Sequence, residues 1–443
     1  MLVCAAAARD AQAQRAPVTP AAAADSVSAD SLLARLARAE AAIALLRAQM
    51  ATESQSTVHT RSRIQLELTG RVQTNAFWTS NRVNNVDVPQ TALAFADPAP
   101  ATGAFGMSLR QTRLGASVGV NDVAGATFVA DLEADFFGGV QNGPGDRRLF
   151  PEPRLRTSRA LLRWTRTELM VGSDVPLVSP LNPISVAASG TPGFSAAGNL
   201  WNWLPQLRLG QQLVSTTLRG TSVRVGVQAA VMTPIVSAQL PGEVDGVDAG
   251  ERSRRPAVEA RLHAQWGDGT DAGATDASIA RFGGEIGVGV HRGSAVTEGG
   301  RETTSRALAM DARASFGGRW ELRGEAYAGQ LLRGLGGGGI GQAFGRPASG
   351  ALSGPPIRNR AGWAQLNLQA LRTVLLGAGC GVDVANQADR PVRTRNTVCA
   401  GHALWRPAEP LLLDLEYRRL ETRFDAGGLG RAHHLNLTFG VEI

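Results

Sequence analysis

From Arg63 onward the chain alternates polar and apolar side chains again and again, and no apolar run is long enough to cross a bilayer as a helix. In Arg63–Trp78 the even positions hold Ile64, Leu66, Leu68, Val72, Ala76 and Trp78, while the odd positions hold Arg63, Gln65, Glu67, Thr69, Arg71, Gln73 and Asn75. Successive side chains of a strand point to opposite faces, so one face of this strand is apolar and the other polar. Strands of a soluble sandwich also alternate, but they average about five or six residues. The runs here last roughly ten or more, the length that a tilted strand needs to span a membrane. The pattern predicts an all-β transmembrane barrel over residues 63–443.

Alternation yields about sixteen antiparallel strands, and their connections give the orientation. Long Gly/Pro-rich connections follow the first, third, fifth, seventh and eleventh strands: Thr79–Gly106, Gly138–Pro153, Val175–Leu204, Pro234–Arg254 and Arg333–Asn359. Short ones alternate with them at Asn121–Val123, Gly220–Thr221, Gly317–Gly318, Arg372–Thr373 and Pro407–Glu409. Outer-membrane barrels carry long external loops and short periplasmic turns, so both chain ends face the periplasm. Gly267–Asp276 is longer than such a turn and leaves room for a miscounted strand. Trp164, Trp266, Trp320 and Trp405 fall beside the proposed periplasmic turns, at the depth that suits an amphipathic ring, and Trp78 marks the opposite rim. The last strand puts Leu435, Leu437, Phe439, Val441 and Ile443 on one face, like an assembly signal ending in Ile.

The segment ahead of the barrel has a different pattern. Leu2–Ala8 is apolar and is followed by Ala11-Gln12-Ala13, which predicts a signal peptide over 1–13; the missing basic region points to a truncated start. Cys4 then lies within a discarded leader. A flexible linker is expected over 14–28, and Ala29, Leu32, Leu36, Ala39, Ile43, Leu46 and Met50 give a three-four seam over 29–53. That spacing suggests a periplasmic coiled-coil helix and a homotrimer, or alternatively one amphipathic helix on its own barrel. A second linker spans 54–62.

Composition narrows the class. Hydrophobic residues make up 43% of 443, and mean hydropathy is −0.08, as expected where lipid-facing and lumen-facing residues cancel. There is no lysine, so all 45 basic residues are arginine, and net charge is +7. The arginines are scattered over alternating strands and form no compact block, which argues against nucleic acid. Without lysine there is no Walker P-loop, and the one GxGxxG match, Gly334–Gly339, lies in a glycine-rich loop without a strand-to-helix context. The six histidines, including His433-His434 and His402 near Cys399, show no metal-ligand spacing. Neither a metal nor a cofactor is expected, nor an enzyme. His434 is expected to face the lumen and His433 to lie near the rim.

The candidate chemistry is that of a water-filled lumen lined by charge. Asp131, Glu133 and Asp135 are predicted to point inward, opposite Phe128, Ala130, Leu132, Ala134 and Phe136. Arg110, Arg113, Arg154, Arg156, Arg159, Arg163 and Arg208 are the candidate basic lining. Unpaired arginines would favour anions, whereas arginines paired with the acids would stiffen the wall. Val175–Leu204, with Trp201 and Trp203, is the candidate inward loop. Cys380 and Cys399 flank Asn386–Arg395 almost symmetrically, which permits a cross-strand disulfide or, after a one-residue slip, two separate cysteines.

Several short stretches resemble the DcaP-like trimeric porins: Leu132-Glu-Ala-Asp-Phe-Phe-Gly-Gly139, Pro153-Arg-Leu-Arg-Thr-Ser-Arg159, Val171-Gly-Ser173 and Leu415-Glu-Tyr-Arg418, set in a chain with a predicted coiled coil and about sixteen strands. The resemblance spans nearly the whole mature chain. It implies a trimeric channel for ion and solute transport in a Gram-negative outer membrane, with a basic constriction preferring small anionic solutes such as aromatic or dicarboxylic acids. Outer-membrane lipid and the chain's own copies are the other expected partners. The scarcity of aromatics and the non-aromatic last residue depart from that pattern. A structural or adhesive barrel plugged by its loops, and an outer-membrane hydrolase, are the competing readings.

Overall fold

The computed structural model describes residues 57–59, 65–94, 103–138, 146–239, 245–267, 279, 282–297, 300–351 and 353–443. The predicted leader, linkers and coiled coil over 1–56, and Arg63 and Ile64, lie outside them.

Sixteen antiparallel strands close into a barrel. They are β1 (Gln65–Thr79), β2 (Ala104–Ser108 and Arg113–Val123), β3 (Ala126–Gly138), β4 (Glu152–Arg163), β5 (Thr167–Asp174), β6 (Leu204–Leu218), β7 (Thr221–Met232), β8 (Ala257–Gly267), β9 (Gly283–Val296), β10 (Glu302–Phe316), β11 (Trp320–Gln330), β12 (Arg358–Leu371), β13 (Val374–Ala385), β14 (Arg393–Trp405), β15 (Leu411–Phe424) and β16 (Leu429–Glu442). Both segments of β2 pair with β1, so they form one interrupted strand. A three-residue strand, Thr57–His59, also pairs with β1. Each strand pairs with the next, and β16 returns to β1 with Val441 opposite Val72 and Leu435 opposite Trp78. Gly70 and Ile443 exchange two backbone hydrogen bonds of 2.9 Å at the seam. Closure leaves no sheet edge, which hydrocarbon would not tolerate.

Alternation sets the faces as the sequence pattern predicts. On β1, Arg71, Gln73, Asn75 and Thr79 are buried inward, whereas Leu68, Val72 and Trp78 are exposed on the outer wall. On β16, Leu435, Leu437 and Phe439 are exposed and His434, Asn436 and Thr438 buried. β8 and β9 are direct neighbours, paired from Val258 opposite Arg292 to Gly267 opposite Gly283; apart from Ile279 and Phe282, the residues between them lie outside those described. The turn after β2 corrects a boundary, since the strand runs through Val123 and the chain reverses at Ala124 (φ 52°) and Gly125 (φ 72°).

The apolar core lies inside the barrel, which the polar-inward rule alone does not predict. Leu375, Leu404 and Leu412 point inward and pack on Ile184 and Val186, and Trp363, Val398 and Leu420 pack with Leu181 and Phe194. These wall positions are apolar because loop residues 175–203 cover them, and each fully buried aliphatic side chain contributes about 1.5–3 kcal/mol.

Candidate functional site

One wall of the lumen is a ladder of ion pairs across β2 to β6. A bulge between Glu133 and Ala134 throws Arg154 and Arg156 together onto the acidic side of β3. Arg154 donates to Asp135 at 3.0 and 2.6 Å; Arg156 donates to Asp135 at 2.9 Å and also binds Glu133. Arg113 lies 3.5 Å from Glu133, Arg159 bridges Asp131 (3.0 Å) and Asp174 (3.5 Å), Arg208 meets Asp174 at 3.2 Å, and Arg163 meets Glu168 at 2.7 Å. Arg110, in the break of β2, pairs with Asp87 of the first loop at 3.2 Å and lies 3.8 Å over the Phe137 ring. Gly172 lets β4 and β5 meet closely beside Arg159: at φ +142°, a Cβ there would lie 1.9 Å from the Ser158 carbonyl oxygen. The seven sequence-predicted arginines thus meet six carboxylates: Asp87, Asp131, Glu133, Asp135, Glu168 and Asp174. Together they form a nearly neutral, cross-braced wall.

Loop residues 175–203 fold inward and are tied to strands all round the barrel. Glu325 of β11 accepts from the Leu181 amide (2.7 Å), from Trp363 Nε1 (3.1 Å) and from the Ser179 hydroxyl. Glu259 of β8 accepts from the Leu177 amide at 2.6 Å, Gln365 of β12 brackets Ile184 with bonds of 2.7 and 2.8 Å, and Glu416 of β15 accepts from Ser185 at 2.6 Å. On the ladder side, Gln111 donates to the Ala187 carbonyl at 2.8 Å, and Arg156 stacks 4.2 Å over Trp203. Close approach is secured at Gly198, whose φ is +112° and whose added Cβ would lie 2.4 Å from the Gly362 carbonyl carbon of β12. A loop so fully hydrogen-bonded keeps one shape, because each anchor removed would strand buried donors.

Two cavities of about 350 Å³ flank this arrangement. The one at the short-turn end is lined by Arg163, Arg166, Arg224, Glu168, His263 and Gln228, among others. The one at the long-loop end is lined by Arg333, Arg393, Trp201, Asn202, Ser195 and Gln90, among others, and by no carboxylate. Among the described residues, Arg166, Arg224, Arg333 and Arg393 make no ion pair. Arg393 is held by the Ile340 and Gly341 carbonyl oxygens at 3.0 and 3.4 Å. The uncompensated positive charge therefore sits at the two ends of the lumen and not on the ladder. Arg224 was readable as inward, since Val223, Val225 and Val227 alternate with it; Arg333 lies in a loop with no periodic signal.

The remaining candidates fall outside the lumen chemistry. Cys380 and Cys399 are direct register partners on the outer face, joined by a disulfide with Cα atoms 4.0 Å apart. His434 points inward against the Val86 carbonyl oxygen at 3.1 Å, and His433 lies on the outer face beside the Tyr417 hydroxyl at 2.6 Å. Among the described residues, no cluster of His, Cys, Asp and Glu could hold a metal ion.

The closed sixteen-strand barrel with an inward third long loop is the fold of the outer-membrane porins. It is similar to the outer membrane channel DcaP of Acinetobacter baumannii, with a TM-score of 0.62 and 12% identity over 88% of this chain and 100% of that one. OmpT of Vibrio cholerae (TM-score 0.52, 10% identity, 87% and 100% covered) and the anion-selective porin from Comamonas acidovorans (0.50, 13%, 86% and 100%) share the barrel. The DcaP likeness bears out, at the level of fold, the resemblance carried by the short motifs. No family model matches the chain, and no curated protein matches it.

Proposed function

We propose that this protein is a passive diffusion channel of a Gram-negative outer membrane, with a weak preference for small anions such as carboxylates, acting as a homotrimer. The observation that carries the anion preference is the charge left over at the lumen ends: Arg166 and Arg224 beyond the Arg163–Glu168 pair at one, Arg333 and Arg393 at the other. Positive charge in a narrow, low-dielectric mouth lowers the Coulomb cost of anion entry. The fold shared with an anion-selective porin supports the same reading.

The inward loop supports a second reading, a structural barrel closed by its own loops, because its residues from Leu177 to Leu200 are almost all buried. Recording from planar bilayers separates them. Stepwise conductance in groups of three supports the trimeric channel, and silence from correctly folded protein supports the closed barrel. Lipid turnover without conductance would instead point to a hydrolase.

A further inference from the structure

The outer wall divides into two unlike halves at its external end. On β1 to β8 the outward strand positions there carry no charge and include Trp78, Phe105, Met107, Leu109, Leu132, Leu155, Val171, Leu207, Val231 and Val258, all exposed. On β9 to β16 the corresponding positions carry Arg292, Arg306, Arg358, Arg360 and Arg395, and then Arg419, Arg423 and Arg431. Below this crown, toward the short turns, the outward positions of β10 to β16 are uncharged, as at Leu308, Met310, Leu322, Leu366, Leu376, Leu415 and Leu437. Anchoring of a barrel at the water interface would place arginines around the whole circumference and at both rims. The short turns carry Arg219, Arg319, Arg372 and Arg406, one to a turn, whereas the run of arginines over neighbouring strands lies at the external end of β9 to β16.

The arginines are also placed against one another. Arg292 lies directly opposite Arg306 in the β9–β10 ladder, and Gln330 links Arg306 to Arg358 across β11. Like charges directly opposite on neighbouring strands repel. Among the described residues, Arg292, Arg306 and Arg360 make no ion pair, while Arg358 is held by Asp389 at 2.6 Å. Three arginines, Arg419, Arg423 and Arg431, share the single carboxylate of Glu421 at 4.0, 3.4 and 3.3 Å. Arg306, Arg358 and Arg360 line an open groove of about 700 Å³ on the outer wall, whose apolar residues include Leu308, Ala328 and Val384.

We infer that this groove binds a phosphate-bearing acyl lipid of the outer leaflet, its phosphate bridging Arg306 and Arg360 and its chains lying on Leu308 and Val384. Guanidinium forks match phosphate oxygens in geometry and charge, and an anion in the groove gives Arg306, which faces Arg292 across the ladder, an opposite charge to meet. The apolar surface directly below suits acyl chains and no soluble anion. The uncharged β1 to β8 half offers no such match.

The test is native mass spectrometry of the protein in phosphatidylcholine nanodiscs doped with lipid A, which carries a phosphate at each end of its disaccharide, or with the same lipid after phosphatase treatment. Circular dichroism of each sample confirms a folded barrel. Wild-type protein is expected to retain the phosphorylated lipid, and Arg306→Gln/Arg360→Gln to bind it roughly tenfold or more weakly. Arg306→Gln alone, a milder change, is expected to lose a smaller part of that affinity. Equal retention of the dephosphorylated lipid, or unchanged retention by the double variant, overturns the inference. Displacement by millimolar inorganic phosphate would identify a free-anion site in place of a lipid site, and disulfide-linked dimers from Leu308→Cys protein would put a second copy in the groove; either result also overturns it.

Discussion

The ladder on β2 to β6 and the two lumen-end cavities are both built from arginine, yet they do opposite things. In the ladder, Arg156 is buried between Glu133 and Asp135 and stacked on Trp203, so its charge is spent within the wall. In the cavities, Arg224 and Arg333 have no carboxylate partner among the described residues. The same residue type braces one region and leaves a field in the other. Partnering, and not arginine count, decides which.

Substitutions can break this contrast, and the largest effect belongs to the ladder. Asp135→Ala leaves Arg154 and Arg156 without their shared buried acceptor, and removing one partner of a buried ion pair costs about 3–5 kcal/mol. A clear fall in the thermal midpoint of the detergent-solubilised barrel is expected; an unchanged midpoint would mean the ladder is not structural. Next comes the loop anchor. Glu325→Ala strands the Leu181 amide, the Trp363 indole and the Ser179 hydroxyl, at about 1–3 kcal/mol for a buried donor left unmade. The loop should loosen and single-channel conductance should rise, whereas unchanged conductance would place the permeation path elsewhere.

The cavity arginines should show the reverse profile, with little loss of stability and a change in selectivity. Arg224→Glu reverses one charge; at ~8 Å in water each unit contributes about 0.5 kcal/mol, so anion and cation entry each change by about 1 kcal/mol in opposite directions and the anion-to-cation permeability ratio should fall roughly thirtyfold at low salt. Arg156→Gln should shift that ratio less, because Arg113 and Arg154 still pair with Glu133 and Asp135 and the lost charge lay within the braced wall and not in a lumen mouth. A larger shift from Arg156→Gln than from Arg224→Glu would invert the comparison. The smallest effect is expected from reducing Cys380–Cys399, which faces outward and should leave conductance as it was.

Much of this architecture was legible in the sequence, because a two-residue period shows which side chains share a face. It placed Asp131, Glu133 and Asp135 on the lumen side and Leu435 to Ile443 on one outer face. It did not reveal the bulge at Glu133 that gathers Arg154 and Arg156, since an extra residue in one strand leaves no mark on composition. Nor did it reveal why Leu375, Leu404 and Leu412 break the polar-inward rule. That depends on a loop some two hundred residues away in the chain, anchored by Gln365 and Glu416. Buried wall acids such as Glu259 and Glu325 act as loop clamps, which shows only once their partners are assigned.

The most direct test of the account is the zero-current potential of wild-type channels in a bilayer under a potassium chloride gradient. With uncompensated arginines at both lumen ends, the potential should move toward the chloride equilibrium value, and more strongly at low salt, where screening is weak. A potential on the potassium side at low salt would contradict the assignment of charge made here.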